Sequence, residues 1–211
     1  MDGTARDGGR MKRSRPATRE RLLDAASEVF GERGFAAATV EEVCERAGFT
    51  RGAFYSNFAT KEELLLALLD REEAQVLERL SAAVDTATRD SSLVSVVTGR
   101  LFDLQPFGSG NYGLRAELSL LAVRNPELAA PYLAARRAFR ARFQPFLERA
   151  LASAGLRLTV SADDALVTIE ALFDVSARDA LIAGADPNAG DNLARRMLPA
   201  LLAGMTTRHG D

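Results

Sequence analysis

Arg51, Tyr55, Asn57 and Lys61 lie within the stretch TRGAFYSNFATKEEL, residues 50–64. A core helix does not carry a guanidinium, a phenol, a carboxamide and an ammonium so close together. These groups share an ability to bind anions and base edges. A guanidinium is a fork that matches guanine O6 and N7. A phenol, a carboxamide and an ammonium suit phosphate oxygens, contacts that fix register rather than read sequence. Gly52 and Ala53 are small and let a helix here come close to another surface. Other chemistries lack their residues. The single histidine is His209, third from the C-terminus, and the single cysteine is Cys44. A Ser-His-Asp or Cys-His centre, or a zinc site, would depend on that one tail imidazole. No GxGxxG or GxxxxGK[ST] occurs. We therefore expect no enzyme, no metal and no cofactor.

The elements that position these groups read as helices. From Thr18 to Gly34 the apolar residues Leu22, Leu23, Ala26, Val29 and Phe30 recur at helical spacing, and Gly34 suits a C-cap. Thr39-Val-Glu-Glu42 is a capping box, opening a helix that buries Val40, Val43, Cys44 and Ala47 and stops at Gly48. Thr50 caps a third helix to about Asn57 or Phe58, with Phe54 and Phe58 inward. Thr60-Lys-Glu-Glu63 is a second capping box at the head of a long fourth helix. The tight turn Gly48-Phe49-Thr50 makes a helix-turn-helix, whose second helix can enter a major groove. Lys61 stands at a helix start, where free amides favour an anion.

Together, RERLLDAASEVFGERGF and TVEEVCERAGFTRGAFYSNFATKEELL resemble the TetR family of transcriptional regulators. The matching positions are Gly48, Phe49, Thr50, Arg51, Gly52, Ala53, Phe54, Tyr55, Asn57, Phe58 and Lys61, within about residues 18–65. Asn57 stands where many members carry His. The resemblance implies an all-α fold: a three-helix helix-turn-helix DNA-binding domain, then a larger helical domain that binds a small molecule and dimerises. Its implied DNA-binding residues are Thr39, Thr50, Arg51, Gly52, Ala53, Tyr55, Ser56, Asn57 and Lys61. Its implied partners are a roughly palindromic double-stranded operator, a small-molecule effector and a second copy of the chain. Repression is the default expectation. A non-specific DNA-binding or architectural protein, and a helical small-molecule-binding protein with a vestigial DNA head, are the alternatives.

The remaining chain fits that division, with an arm over residues 1–17, a DNA-binding head over 18–63 and a helical domain over 64–211. Helices are expected over about 91–104, 114–124, 127–154, 162–183 and 191–205, with a kink or break at Pro145. LRLTV at 156–160 comes nearest to a strand. Residues 105–113, QPFGSGNYG, read as a connecting loop or as a mobile pocket edge. Candidate ligand contacts are Phe102, Phe107, Tyr112, Glu117, Leu121, Phe139, Phe143 and Phe173, which would suit an apolar or aromatic ligand. Arg136, Arg137, Arg140 and Arg142 read as a solvated face, with room for one of them to meet a pocket. In the family the last two helices pair with those of a second subunit, which makes Leu166, Ile169, Phe173, Leu181, Leu193, Met197 and Leu201 the candidate dimer contacts.

Charge sets further bounds. The net charge is −2 over 211 residues, and residues 1–63 balance eleven basic against eleven acidic groups. That argues against a protein held to DNA by charge alone. Arg10, Lys12, Arg13, Arg15, Arg19 and Arg21 face one acid, Glu20, within residues 10–21. This run reads either as a solvated tail or as an arm that touches phosphates. Met11 is an alternative start to Met1. No run of 18 apolar residues occurs, the N-terminal stretch does not read as a secretory signal, and one thiol fits a reducing cytoplasm.

Overall fold

A computed structural model describes residues 15–85, 109–187 and 192–208. The described helices are α1 (Arg15–Arg33), α2 (Val40–Ala47), α3 (Arg51–Tyr55), α4 (Lys61–Asp85), α5 (Ser109–Arg124), α6 (Pro126–Ser153), α7 (Ala162–Ile182) and α8 (Leu193–Met205). The fold is all-α, as expected. Two three-residue strands, β1 (Leu156–Leu158) and β2 (Thr206–Arg208), pair antiparallel with Leu156 opposite Arg208 and Leu158 opposite Thr206. The helix expected over 91–104 lies outside the described residues.

Helix ends follow local chemistry. Thr39 Oγ1 accepts the Glu42 amide at 3.2 Å, and Glu42 Oε2 accepts the Thr39 amide at 2.9 Å, which completes the first capping box. The second differs from the sequence pattern. Thr60 Oγ1 accepts from the Glu63 amide, but Glu63 Oε2 takes the Ala59 amide, one residue earlier than expected. α1 begins at Arg15, three residues before the expected start. α3 ends at Tyr55, shorter than expected, with Ser56 as its C-cap. Pro126 occupies the first turn of α6, where its missing N–H removes no helical bond. Pro145 lies within α6 without ending it, so of the expected kink or break no break occurs. A proline there removes one ladder bond, and the buried run Phe143, Phe146, Leu147, Ala150 and Leu151 holds the helix on either side.

Two apolar cores form. The first joins Leu22, Phe30, Phe35, Val43, Phe54, Phe58, Leu64 and Leu68 to Leu114, Leu118 and Ala122 of α5 and Leu128 of α6. Cys44 is buried in it, and burial raises its thiol above the ordinary value, so it is a small packing group. The second core gathers Leu80, Phe139, Phe143, Phe146, Leu166, Ile169, Phe173, Leu198 and Leu202 from α4, α6, α7 and α8. Its rings pack in sequence, Phe139 tilted against Phe143 at 5.8 Å and Phe143 edge-on to Phe146 at 5.2 Å between centroids. No helix among the described residues is long and apolar enough to cross a membrane.

Candidate nucleic-acid interface

The turn between α2 and α3 needs Gly48, which adopts φ 69° and ψ 38°, a left-handed conformation that disfavours a Cβ. The Phe49 amide then donates to Cys44 O at 2.9 Å and closes the helix end. A guanidinium nitrogen of Arg21 in α1 donates to Ala47 O at 2.8 Å, and the same group lies 4.9 Å from the Phe49 ring centre. Thr50 Oγ1 caps α3 by accepting from the Ala53 amide at 3.3 Å. Phe54 is fully buried, and Tyr55 packs edge-on to it at 5.2 Å with half of its surface exposed. α3 is thus anchored by one face and presents the other.

The outward face carries Arg51, Gly52, Tyr55 and Ser56. Arg51 is 62% exposed, but it is paired with Glu41 of α2 at 2.8 Å. A base edge must therefore exchange with that carboxylate, a competitor that sequence spacing did not reveal. An added Cβ at Gly52 would meet Thr50 Oγ1 at 3.7 Å, an ordinary contact. Nothing among the described residues requires glycine there. Thr39 is exposed at the start of α2, and Ala53 is half-buried behind Gly52.

Asn57 and Lys61 turn inward. The Asn57 amide nitrogen donates to Ala53 O at 2.8 Å and to Ser56 Oγ at 3.2 Å, while its Oδ1 is buried without a hydrogen-bond partner among the described residues. Both amide protons are therefore engaged within the head. Lys61 Nζ donates to Phe35 O at 2.8 Å and Ala38 O at 2.7 Å and lies 4.4 Å from the Phe35 ring centre. It braces the loop between α1 and α2. Of the basic run, Arg15 donates to Ser56 O at 3.0 Å and Arg19 lies 4.4 Å over the Phe58 ring, so α1 braces the end of α3. Arg10, Lys12 and Arg13 lie outside the described residues.

The C-terminal half holds a charged interior. Arg136 of α6 bridges Glu73 of α4 at 2.6 Å and Glu170 of α7 at 2.9 Å, and Arg115 of α5 lies 3.6 Å from Glu73. Arg140 also pairs with Glu170, at 3.7 Å. These side chains are 12–16% exposed. Burial raises the Glu73 carboxyl above its ordinary value, against the pull of Arg136 and Arg115. Beside the network is a cavity of about 20 Å³, with Leu69, Leu118, Glu73, Arg115, Tyr132 and Arg136 among its walls. That is room for about one water. An open groove of about 430 Å³ flanks β1, with Gln144, Leu151, Leu156 and Val160 among its walls.

None of the expected ligand contacts among the described residues lines either of these two spaces. Phe139, Phe143 and Phe173 belong to the second core, and Leu121 packs against the first. Glu117 accepts a hydrogen bond from the Ala36 amide in the head. Tyr112 is half-buried on α5 and lines neither space, and Phe102 and Phe107 lie outside the described residues. Arg136 and Arg140, read as part of a solvated face, point inward, while Arg137 and Arg142 stay out. Their spacing of four, in register with Tyr132 and Phe139, was the available signal. Of the expected dimer contacts, Leu166, Ile169 and Phe173 are buried in the chain's own core. Leu181, Leu193 and Leu201 are half-buried, and Met197 is 46% exposed.

Comparison with known proteins bears on this geometry. Residues 22–68 match the family model of bacterial regulatory proteins of the TetR family. Over 128 residues, 61% of this chain, the sequence is 34% identical to the transcriptional activator FasR of Mycolicibacterium smegmatis, covering 57% of that protein. The chain spans little more than half the length of the curated relatives it matches. A TetR-family regulator from Mesorhizobium loti superposes with a TM-score of 0.66 at 17% identity, covering 93% of this chain and 100% of the other. The regulator FadR of Bacillus subtilis, solved with stearoyl-CoA, gives a TM-score of 0.60 at 20% identity, covering 88% and 98%.

Proposed function

We propose that this chain, whose residues 22–68 match the family model of bacterial regulatory proteins of the TetR family, is a sequence-specific DNA-binding regulator that a small-molecule effector releases from a palindromic operator. The observation that carries this reading is the capped helix-turn-helix, which holds Phe54 inside and offers Arg51, Gly52 and Tyr55 outside. Arg51 reads a base once Glu41 releases it, and Tyr55, Thr39 and the basic arm fix the phosphates. Lys61 and Asn57 set the shape of the head and reach phosphate by exchanging their internal partners. Residues 1–17, 18–63 and 64–211 serve as arm, head and effector domain. The protein acts in the cytoplasm and represses by occupying its operator.

Two copies pair through the outer sides of α7 and α8. Val167, Ala171 and Ile182 are exposed along α7, and Met197, Ala200 and Gly204 along α8. A two-fold pair places two recognition helices about one DNA turn, roughly 34–36 Å, apart. The effector enters among α4, α5, α6 and α7, where Arg115, Arg136 and Glu73 favour a ligand with a charged or hydrogen-bonding group. Stearoyl-CoA, the ligand with which the regulator FadR of Bacillus subtilis was solved, combines such a group with a long apolar chain.

The test is selection of the purified protein on a pool of random duplexes at about 150 mM salt, where phosphate attraction alone is weakened. One enriched palindrome, with affinity lost about ten- to a hundredfold in the Arg51→Ala, Tyr55→Ala double variant, supports the reading. Binding without enrichment that fades as salt rises supports the architectural alternative instead.

A further inference from the structure

We propose that Glu117 is a positioning residue for the DNA-reading helix: its carboxylate, carried on α5 of the C-terminal half, sets the loop from which α2 and α3 begin. The inference rests on the regulator reading above. Glu117 Oε2 accepts the Ala36 amide at 3.1 Å across 81 residues of sequence. Its Oε1 lies 3.5 Å from where a Cβ of Gly34 would stand, so the carboxylate covers the loop backbone. Gly34 has φ 75°, which turns the chain sharply out of α1.

The loop has a second brace. Lys61 Nζ takes the carbonyls of Phe35 and Ala38, and Ala38 directly precedes Thr39, the N-cap of α2. The loop is therefore held by an ammonium from within the head and by a carboxylate from outside it. A hydrogen bond weakens steeply with distance and angle, so a shift of α5 by about 1 Å breaks the outer brace while the inner one stays.

α5 is placed to shift. Leu114 and Leu118 pack in the core of the head, Arg115 and Leu118 line the inner cavity, and Glu117 lies between them on the same turn. A ligand that widens the cavity bears on the turn that carries Glu117. The carboxylate then leaves the Ala36 amide, and α2 and α3 change their angle to the rest of the molecule.

The experiment uses the full chain, the duplex enriched by selection, and the same duplex with one base pair inserted or removed between its half-sites. Affinity and melting temperature are measured for wild type, Glu117→Gln and Glu117→Asp. Gln keeps an acceptor oxygen at the same reach and loses the charge. Asp keeps the charge and falls one methylene short. The Asp variant is expected to lose roughly two- to tenfold in affinity, as for one broken hydrogen bond, and to discriminate less among spacings, while Gln behaves as wild type. Exchange of the Ala36 amide, measured without DNA, should be slow in wild type and Gln and faster in Asp. An Asp variant with wild-type affinity and spacing preference overturns the proposal. So does a loss in Gln that Asp does not share, which would assign the effect to charge, and so does a lowered melting temperature with unchanged affinity. A pool that yields no enriched duplex overturns the regulator reading and this proposal with it; an enriched duplex insensitive to Glu117 overturns this proposal alone.

Discussion

The two halves of the chain keep their charges in different places. In the head, Arg46 pairs with Glu28 and Glu32, Arg33 with Glu42, and Arg51 with Glu41, all at the surface around an apolar centre. In the C-terminal half, Glu73, Arg115, Arg136 and Glu170 lie inside, among four helices. Exposed pairs are worth little and can be exchanged for a ligand with small loss. Buried pairs hold only while every member is present, because removal of one leaves an uncompensated charge. The head is thus built to trade partners at its surface. The other half is built so that a change inside it is felt by α4, α5, α6 and α7 together.

The largest effects should separate these two designs. Arg136→Ala is expected to destabilise the chain by about 3–5 kcal/mol, since Glu73 and Glu170 lose their shared partner. Phe54→Ala, at a side chain with no exposed surface, should lose about 3–5 kcal/mol through cavity formation. Chemical denaturation at several pH values distinguishes them. The Arg136→Ala loss should shrink on acidification, because burial already raises the Glu73 carboxyl and loss of Arg136 removes a charge that lowers it, whereas the Phe54→Ala loss should not change. Two equally flat profiles would mean that the inner network behaves as ordinary packing.

Smaller changes test the head. Thr39→Ala removes the cap of α2 and should lower stability by about 1 kcal/mol in the same denaturation assay. Gly52→Ala should have opposite effects on fold and function. It favours the helix by up to about 1 kcal/mol, because no internal contact needs glycine there, yet it should weaken binding to the enriched duplex. Equal affinity in that variant would remove the case for close approach at Gly52.

The smallest effect concerns Glu72. Burial raises its carboxyl above the ordinary value of 4.5, and its Oε2 is buried without a hydrogen-bond partner among the described residues. The folded chain therefore binds this proton more readily than the unfolded chain, and the group's contribution to stability falls as pH rises through that window. Glu72→Gln should melt at or above wild type at neutral pH, with the difference closing on acidification. A difference that widens on acidification would show that Glu72 is stabilising as an anion.

Much of the head is legible in the amino-acid sequence. Its caps, its glycine turn and its inward phenylalanines are local patterns, and the three-helix arrangement and the exposure of Arg51 and Tyr55 follow from them. Asn57 and Lys61 are not legible in the same way. Their partners Ala53, Phe35 and Ala38 are backbone carbonyls, which no side-chain pattern marks. β1 falls within LRLTV, the stretch nearest to a strand in the sequence, whereas β2 escapes a sequence reading because it has three residues and its partner is about fifty residues away. Arg136 and Arg140 resemble surface residues because arginine usually is one, and the carboxylates that receive them come from α4 and α7.

Sequence alone determined the helical class, the helix-turn-helix and the family resemblance, because capping, periodicity and turn conformation act over a few residues. Tertiary structure decided what lies between the halves. It placed α5 in the core of the head, Glu117 on the Ala36 amide, and the carboxylates of α4 and α7 around Arg136. Those contacts join residues far apart in the chain, and their energies depend on burial, which exists only once the helices have packed.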